Sequence, residues 1–365
     1  HAQKTVGYAG DWAKFTLCEA IAAHFDNTKG NIGPIYVINV LDPAVHKKEQ
    51  QTTRALAFSN GRCEFASSTI ILDTFALAEK AEGVDYTLDY NFTTGTVVVA
   101  SVNPDAPLTG SIDASFYEVD PAAVKAADII GGVTGAGVYS GLAVLKLMFP
   151  ELNTVPNLIL APGWSHVPAV YNAMITASQK INGHWYAFAL ADIPIANDDG
   201  EAIDTIAKAK KWKADNGYTS GWSKIYWPQG IDNLGRTFHL STMAAVEFMR
   251  ADTEHNEVPM ETCGNKTVPL MRQYFGKEYT GAGFDKEASL ELVQDGICTL
   301  ISWGGVVLWG DHTAAYKFGA EMDARFIFDV SVRMIMHVLN GFQRRHMADI
   351  DQPMSLAKKD EILNE

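Results

Sequence analysis

The sequence predicts an α/β protein: a mostly parallel sheet with helices on both faces, interrupted by a small β-rich insertion. Three observations carry this expectation. From about residue 117 onward, short apolar runs alternate with helical patterns, the order that builds βαβ units. Some of those runs, such as Asn157-Leu-Ile-Leu-Ala161, are apolar on both faces, as strands held between two helical layers are. Between Asp42 and Phe116 the chain instead shows β-branched runs punctuated by Asp-Pro, Asn-Gly, Glu-Gly, Thr-Gly and Asn-Pro. The expected boundaries are residues 1–42 for the first part of the core, 43–116 for the insertion and 117–365 for the rest of the core.

The first element reads as a helix. Asp11 is a suitable N-cap, and Trp12, Phe15, Cys18, Ile21, Ala22 and Phe25 recur at three- and four-residue spacing. Gly30 and Gly33 end it, and the apolar run 34–41 predicts a buried strand. In the insertion, Tyr86–Tyr90 and Thr96–Ala100 flank Asn91–Gly95 as a hairpin. The spacing then predicts helices over 137–148, 168–181, 201–213, 238–250 and 286–294, with Val170, Met174 and Ile181 facing inward. Strands are expected at 157–161, 185–191 and 222–227, and two more around Gly304-Gly305.

Composition excludes several classes of function. The 365 residues carry a net charge of −14, which repels phosphate backbones and disfavours nucleic acid as a partner. Hydrophobic content of 47% suffices for a packed core, and a charged fraction of 20%, below the usual quarter, suits a surface partly covered by partners. Leu152 to Gln179 has no Asp, Glu, Lys or Arg, yet Pro156, Pro162 and Pro168 make it a poor spanning helix. No membrane insertion is expected. Cys18, Cys63, Cys263 and Cys298 lie far apart without a CxxC pair, which suits single buried thiols in a reducing compartment.

Four motifs bear on chemistry. Gly131-Gly-Val-Thr-Gly135-Ala-Gly137-Val-Tyr-Ser140-Gly141 approaches a dinucleotide fingerprint but has Ser140 where a glycine is required, so it reads as a turn entering a helix. Gly163-Trp-Ser165-His-Val167 resembles half of a nucleophile elbow, with β-branched Val167 where a small residue is needed. Ser165 serves equally as an N-cap before Pro168. An alternative function, a hydrolase using Ser165 and Asp192 with His239 or His312, rests on both residues falling at the C-terminal ends of neighbouring strands. The ten histidines show no metal-ligand spacing, and neither metal nor cofactor is expected.

The fourth motif is the stretch Ser331–Met347, which contains no carboxylate before Asp349. On a helical wheel Val332, Ile335, Val338, Leu339 and Phe342 form an apolar stripe, and Arg333, His337, Asn340 and Arg344 line the other side. In an acidic chain, a locally basic helix of this kind fits either a solvated face or a contact with an acidic partner.

Taken in order, the motifs of the second half resemble those of contractile-tail sheath proteins, the outer-tube subunits of contractile phage tails and R-type bacteriocins. They are Leu158-Ile-Leu-Ala-Pro-Gly163, Ala191-Asp-Ile-Pro194, Tyr226-Trp-Pro228, Arg250-Ala-Asp252, Asn265, Trp309-Gly-Asp-His-Thr-Ala-Ala315, Phe326-Ile-Phe-Asp-Val-Ser-Val-Arg333 and Asp351-Gln-Pro-Met354. The chain departs from the family's pattern at Glu261-Thr-Cys-Gly264, where Ala-Pro-Ala usually stands. The resemblance implies a subtilisin-like core, an outward insertion and no enzymatic activity. It further implies a helical homo-oligomer around an inner tail tube protein, meeting a baseplate and a tail terminator. The particle would be a virion tail or bacteriocin assembled in the bacterial host cytoplasm. The family's strand-exchanging arms would lie beyond residues 1 and 365. With the tube contact near the C-terminus, the resemblance directs attention to Arg333, His337, Arg344, Arg345, Lys358 and Lys359 as partner-facing residues.

Overall fold

The computed structural model describes residues 12–26, 33–92, 94–277 and 283–364. Helix α1 (Thr16–Phe25) buries Cys18, Ile21, Ala22 and Ala23 on one side. Asp11 and Gly30, expected to bound it, lie outside the described residues. The strand expected at 34–41 does not form. That segment joins no ladder, so its β propensity lacks the partner that a strand requires.

The β-rich stretch comprises β1 (Thr52–Phe58), β2 (Arg62–Ala66), β3 (Ala76–Leu77), β4 (Tyr86–Asn91), β5 (Thr96–Ser101) and β6 (Gly110–Phe116). They make two antiparallel three-stranded sheets, ordered β1–β6–β3 and β2–β5–β4. Alternate residues turn inward, so Cys63 and Phe65 on β2 meet Val97 and Val99 on β5 in a core of their own. Phe65, Phe75 and Phe116 stack there with ring centroids 6.0–6.4 Å apart.

Helix α2 (Ala126–Ile130) leads into a short hairpin, β7 (Gly132–Val133) and β8 (Tyr139–Ser140). A 3₁₀ segment, Gly141–Leu147, then runs into α3 (Met148–Leu152). The single helix expected over 137–148 is therefore replaced by a strand and a tighter coil. The cause is close backbone packing: a Cβ at Gly131 (φ +62°) would stand 1.9 Å from Ser140 O, and one at Gly141 (φ +53°) 2.5 Å from Asp128 O. The glycines let two backbones touch, and no phosphate cradle results.

The rest forms the α/β core: β9 (Leu158–Leu160), α4 (Pro168–Ser178), β10 (Phe188–Asp192), α5 (Ile206–Asp215) and β11 (Ser223–Tyr226) come first. They are followed by β12 (Gln229–Ile231), β13 (Thr237–Phe238), α6 (Leu240–Glu254), β14 (Arg272–Tyr274), α7 (Leu290–Gln294), β15 (Ile297–Ser302) and β16 (Val306–Trp309). Two helices close the chain, α8 (Asp329–Arg345) and α9 (Leu356–Asn364).

The central sheet runs β16–β15–β11–β10–β9, parallel throughout except for the antiparallel edge strand β16. All other sheets among the described residues are antiparallel. The expectation of a mostly parallel sheet thus holds for this sheet alone, and the molecule as a whole is a mixed α/β protein with several small sheets. One face of the central sheet, through Phe188, Leu190, Tyr226, Cys298 and Leu300, packs on α1, α6 and α8. The other face, through Ala191, Ile225 and Ile297, packs on Tyr171 of α4, Ala209 of α5 and Leu292 of α7. Burial on both faces explains why these strands read as continuous apolar runs.

Candidate functional site

The candidate surface is built on α8, and four polar side chains fix which way that helix faces. Asp329, at its first turn, is fully buried and paired with Lys224 of β11; Thr262 Oγ1 donates to the same carboxylate at 2.7 Å. Lys224 Nζ also donates to Gly310 O at 2.8 Å. Burial opposes the lysine's charge, but the adjacent Asp329 carboxylate overrides it and holds the ammonium well above its ordinary range. One turn on, Arg333 pairs with Asp252 of α6, its guanidinium lying 4.3 Å from the centroid of the Phe248 ring. Burial pushes the Asp252 carboxyl up, and the Arg333 charge pulls it back.

Asn340 continues the same side of the helix, its amide exchanging two hydrogen bonds with the Tyr186 backbone at 2.9 and 2.8 Å. Arg344 Nη2 donates to Asn153 O at 2.8 Å. Val332 and Met336 fill the space between these anchors. The helix is therefore turned by its polar residues, and part of the apolar stripe faces out. Val338 is 60% exposed and Phe342 50%, with Leu339 beside them. Met347, Ile350, Met354, Leu356 and Leu363 extend exposed apolar surface to the end of α9.

Of the six residues singled out in the sequence, Arg333 is 3% exposed and held in an internal ion pair. Its expected outward position is corrected by the position of Asp252, which draws it into the core. His337, Arg344, Arg345 and Lys359 are exposed. Lys358 is half-buried and pairs with Asp349 and Glu361, both at 3.2 Å. Sequence reasoning missed Lys224, Asp252 and Asp329. Asp252 and Asp329 stood inside the ordered motifs without a role assigned to them; for Lys224 the available signal was a lysine within an expected buried strand, where an unpaired charge is not tolerated.

The alternative site, around Ser165, is also assembled, but for another purpose. Ser165 is 1% exposed; its Oγ accepts from Asp192 N at 3.0 Å and lies 3.5 Å from Asp192 Oδ2. Asp192 accepts from Ser241 N at 3.0 Å and from Ser241 Oγ at 2.5 Å, so its carboxylate caps the start of α6. Burial raises the Asp192 carboxyl above its ordinary range, against the pull of the His239 charge. Val167, not Ser165, occupies the N-cap position of α4.

His239 does not reach Ser165 as a base. Its Nδ1 lies 2.7 Å from Glu19 Oε2, its backbone N–H donates to Glu19 Oε1 at 2.6 Å, and its Nε2 lies 3.0 Å from the Gln229 amide. Burial works against its charge, but Glu19 prevails and raises its pKa to about 9, so at neutral pH the ring is a cation. His312 stacks on Tyr316 at 3.6 Å and pairs with Asp311. Ser165 is a buried hydroxyl without a histidine in contact, held against Asp192, which in turn bonds Ser241, so the pair ties the loop after β9 to β10 and α6.

Among the described residues no cluster of three or more His, Cys, Asp or Glu could hold a metal ion, and no helix is long and apolar enough to cross a membrane. No family model matches the chain. The tail sheath protein of Burkholderia phage BcepMu is 28% identical over 197 residues, covering 52% of this chain and 39% of that protein. A putative prophage major tail sheath protein of Pseudomonas aeruginosa (strain UCBPP-PA14) is 26% identical over 236 residues, 62% of this chain and 55% of that one. The chain spans about half the length of the curated relatives it matches. Among solved structures, a chain of the anti-feeding prophage baseplate aligns at TM-score 0.42 and 18% identity over 60% of this chain and 53% of its own. The sheath tail protein of Desulfitobacterium hafniense aligns at TM-score 0.43 and 10% identity over 86% of this chain and 70% of its own. The sequence resemblance to tail sheath proteins is borne out by the names of both curated relatives.

Proposed function

We propose that the chain is the core of a contractile-tail sheath subunit, which polymerises in rings around an inner tail tube and shortens to drive that tube through a target envelope. The observation that carries this reading is the similarity to two curated tail sheath proteins, which the ordered motifs from Leu158 to Met354 anticipate. In this reading the α/β part is the subtilisin-like sheath core, and residues 43–116 form an outward domain. On the same reading the protein is structural rather than enzymatic, and Ser165, 1% exposed against Asp192, belongs to the packing of the core. Its partners are further copies of itself, the inner tube protein, the baseplate and the tail terminator. Its place is the virion tail or bacteriocin particle, assembled in the bacterial host cytoplasm.

The surface of α8 and α9 supports the assembly part of the reading. It presents Val338, Leu339 and Phe342 beside Arg344 and Arg345, with Lys358 and Lys359 further on. A contact of this mixed kind suits a surface that must release on contraction, because exposed ion pairs contribute only about 0–1 kcal/mol each. The experiment is negative-stain electron microscopy of the full-length protein, alone and with its tube protein. Hollow striated cylinders are expected, and persistent monomers with tube present would overturn the reading. The variant R344E/R345E/K359E should fold normally and assemble poorly, and its normal assembly would remove these residues from the interface.

A further inference from the structure

The hairpin that joins β15 to β16 projects a tryptophan into solvent. Ser302 faces Val306 as the last rung of the pair, and Trp303-Gly304-Gly305 form the tip, closed by Trp303 N–H donating to Gly305 O at 2.8 Å. Gly304 and Gly305 have φ of +63° and +146°, a backbone that calls for glycine. A Cβ on Gly304 would meet nothing, and one on Gly305 only Thr267 Cγ2 at 3.8 Å. The tip therefore stands clear of the other described residues, and Trp303 is 57% exposed. Trp309, half-buried, sits at the other end of β16 opposite Thr299.

Lys286 reaches both indoles. Its Nζ lies 5.9 Å from the ring centroid of Trp303 and 5.5 Å from that of Trp309. The backbone that carries it is fixed, with Ser302 N–H donating to Phe284 O at 3.0 Å, Ser289 N–H to Asp285 O at 3.1 Å and Ser289 Oγ to Lys286 O at 3.0 Å. The side chain is exposed, and among the described residues no carboxylate pairs with its ammonium. Two exposed carboxylates, Asp285 and Glu287, flank it in the chain. An ammonium thus rests against two indole rings near the outer limit, about 6 Å, at which a ring face attracts a cation. It is a weakly held occupant.

These features decide which chemistry the slot accepts. An anion would meet Lys286 but also Asp285, Glu287 and the field of a chain with net charge −14. A neutral group could stack on Trp303 but would draw nothing from the carboxylates. A cation is attracted by rings and carboxylates alike, and a planar guanidinium lies flat on an indole as an ammonium cannot. We infer that Trp303 and Trp309 form an aromatic slot for an arginine side chain of a basic partner protein, with Lys286 as the internal occupant that the arginine displaces. The partner is basic rather than a second copy, since two chains of charge −14 repel each other. The inference does not rest on the sheath reading.

The test is NMR of the full chain, isotope-labelled at its tryptophan side chains and titrated with the peptide acetyl-Gly-Arg-Gly-amide. Peptides with citrulline or glutamate in place of arginine serve as the neutral and acidic comparisons. The indole signal of Trp303, assigned from Trp303→Phe, should shift saturably with the arginine peptide, which binds at least about 5-fold more tightly than the citrulline one. Lys286→Gln removes the competing occupant and should tighten arginine binding by about 2- to 5-fold, while Trp303→Ala should abolish it. Both positions are exposed, so both variants keep the fold. No shift with arginine, equal binding of arginine and citrulline, a preference for glutamate, or weaker arginine binding in Lys286→Gln overturns the proposal. A Trp303 signal that moves when the protein alone is concentrated also overturns it, since the occupant would then come from a second copy.

Discussion

Lys224 and Asp329 stand 105 residues apart in the chain, yet they pair where neither side chain exposes any surface. This contact joins the middle of the central sheet to the first turn of α8, and so sets where the candidate surface begins. A charge in that position is tolerable only because its counter-charge, Thr262 and the Gly310 carbonyl meet it there.

Removing one member leaves the other buried and unpaired. Lys224→Met is expected to lower stability by about 3–5 kcal/mol, and the double variant Lys224→Met/Asp329→Leu to recover much of that loss. Urea unfolding of both variants checks this. A double variant no more stable than the single one would mean that the pair is more than a balanced charge.

Arg333 and Arg344 lie on one helix and should behave oppositely. Arg333→Ala strands Asp252 and uncovers Phe248, and a loss of about 3 kcal/mol is expected. Arg344→Ala gives up one exposed hydrogen bond to Asn153 O and should stay within about 0.5 kcal/mol of the parent. Thermal unfolding distinguishes them, and equal effects would contradict the orientation of α8.

His239 makes stability depend on pH. Its pKa is raised from 6.5 to about 9, so its contribution is full below about pH 6.5 and is lost as pH rises through about 9. The size is on the order of 3 kcal/mol. Lys213, pushed down to about 8 by burial, acts in the opposite sense, adding stability as pH rises from about 8 towards 10.5. The difference between the parent and His239→Gln isolates the histidine. Denaturant unfolding across this range should show the difference shrinking with rising pH, and a constant difference would refute the Glu19–His239 linkage.

Gly131 tests the reading of the glycine run. Its φ of +62° and the 1.9 Å approach of a Cβ to Ser140 O predict that Gly131→Ala is destabilising by at least about 1–3 kcal/mol. Gly135, whose Cβ would meet nothing, should accept alanine with little change. Nucleotides should shift the melting temperature of neither, and a shift would restore the phosphate-binding reading.

Periodicity alone made much of the architecture legible. The α4 positions Val170 and Met174, the buried strands β9, β11 and β15, and the hairpin around Asn91–Gly95 follow from local spacing and turn chemistry. Local spacing also carried the ordered motifs that resemble sheath proteins. It failed at 137–148, where two glycines serve a close backbone contact rather than a helix start. It failed again at 34–41, where strand propensity had no partner in the ladder.

The sequence by itself determined that α8 is a helix with an apolar side and a basic side. Only the tertiary structure decided which residues face the core. A hydrophobic stripe contributes a few kcal/mol wherever it is covered, but Asp329, Arg333 and Asn340 each bond a specific distant group, at Lys224, Asp252 and Tyr186. Those partners lie between 81 and 154 residues away in the chain, beyond the reach of any local pattern. Directional bonds therefore turned the helix and left Val338, Leu339 and Phe342 on the outside.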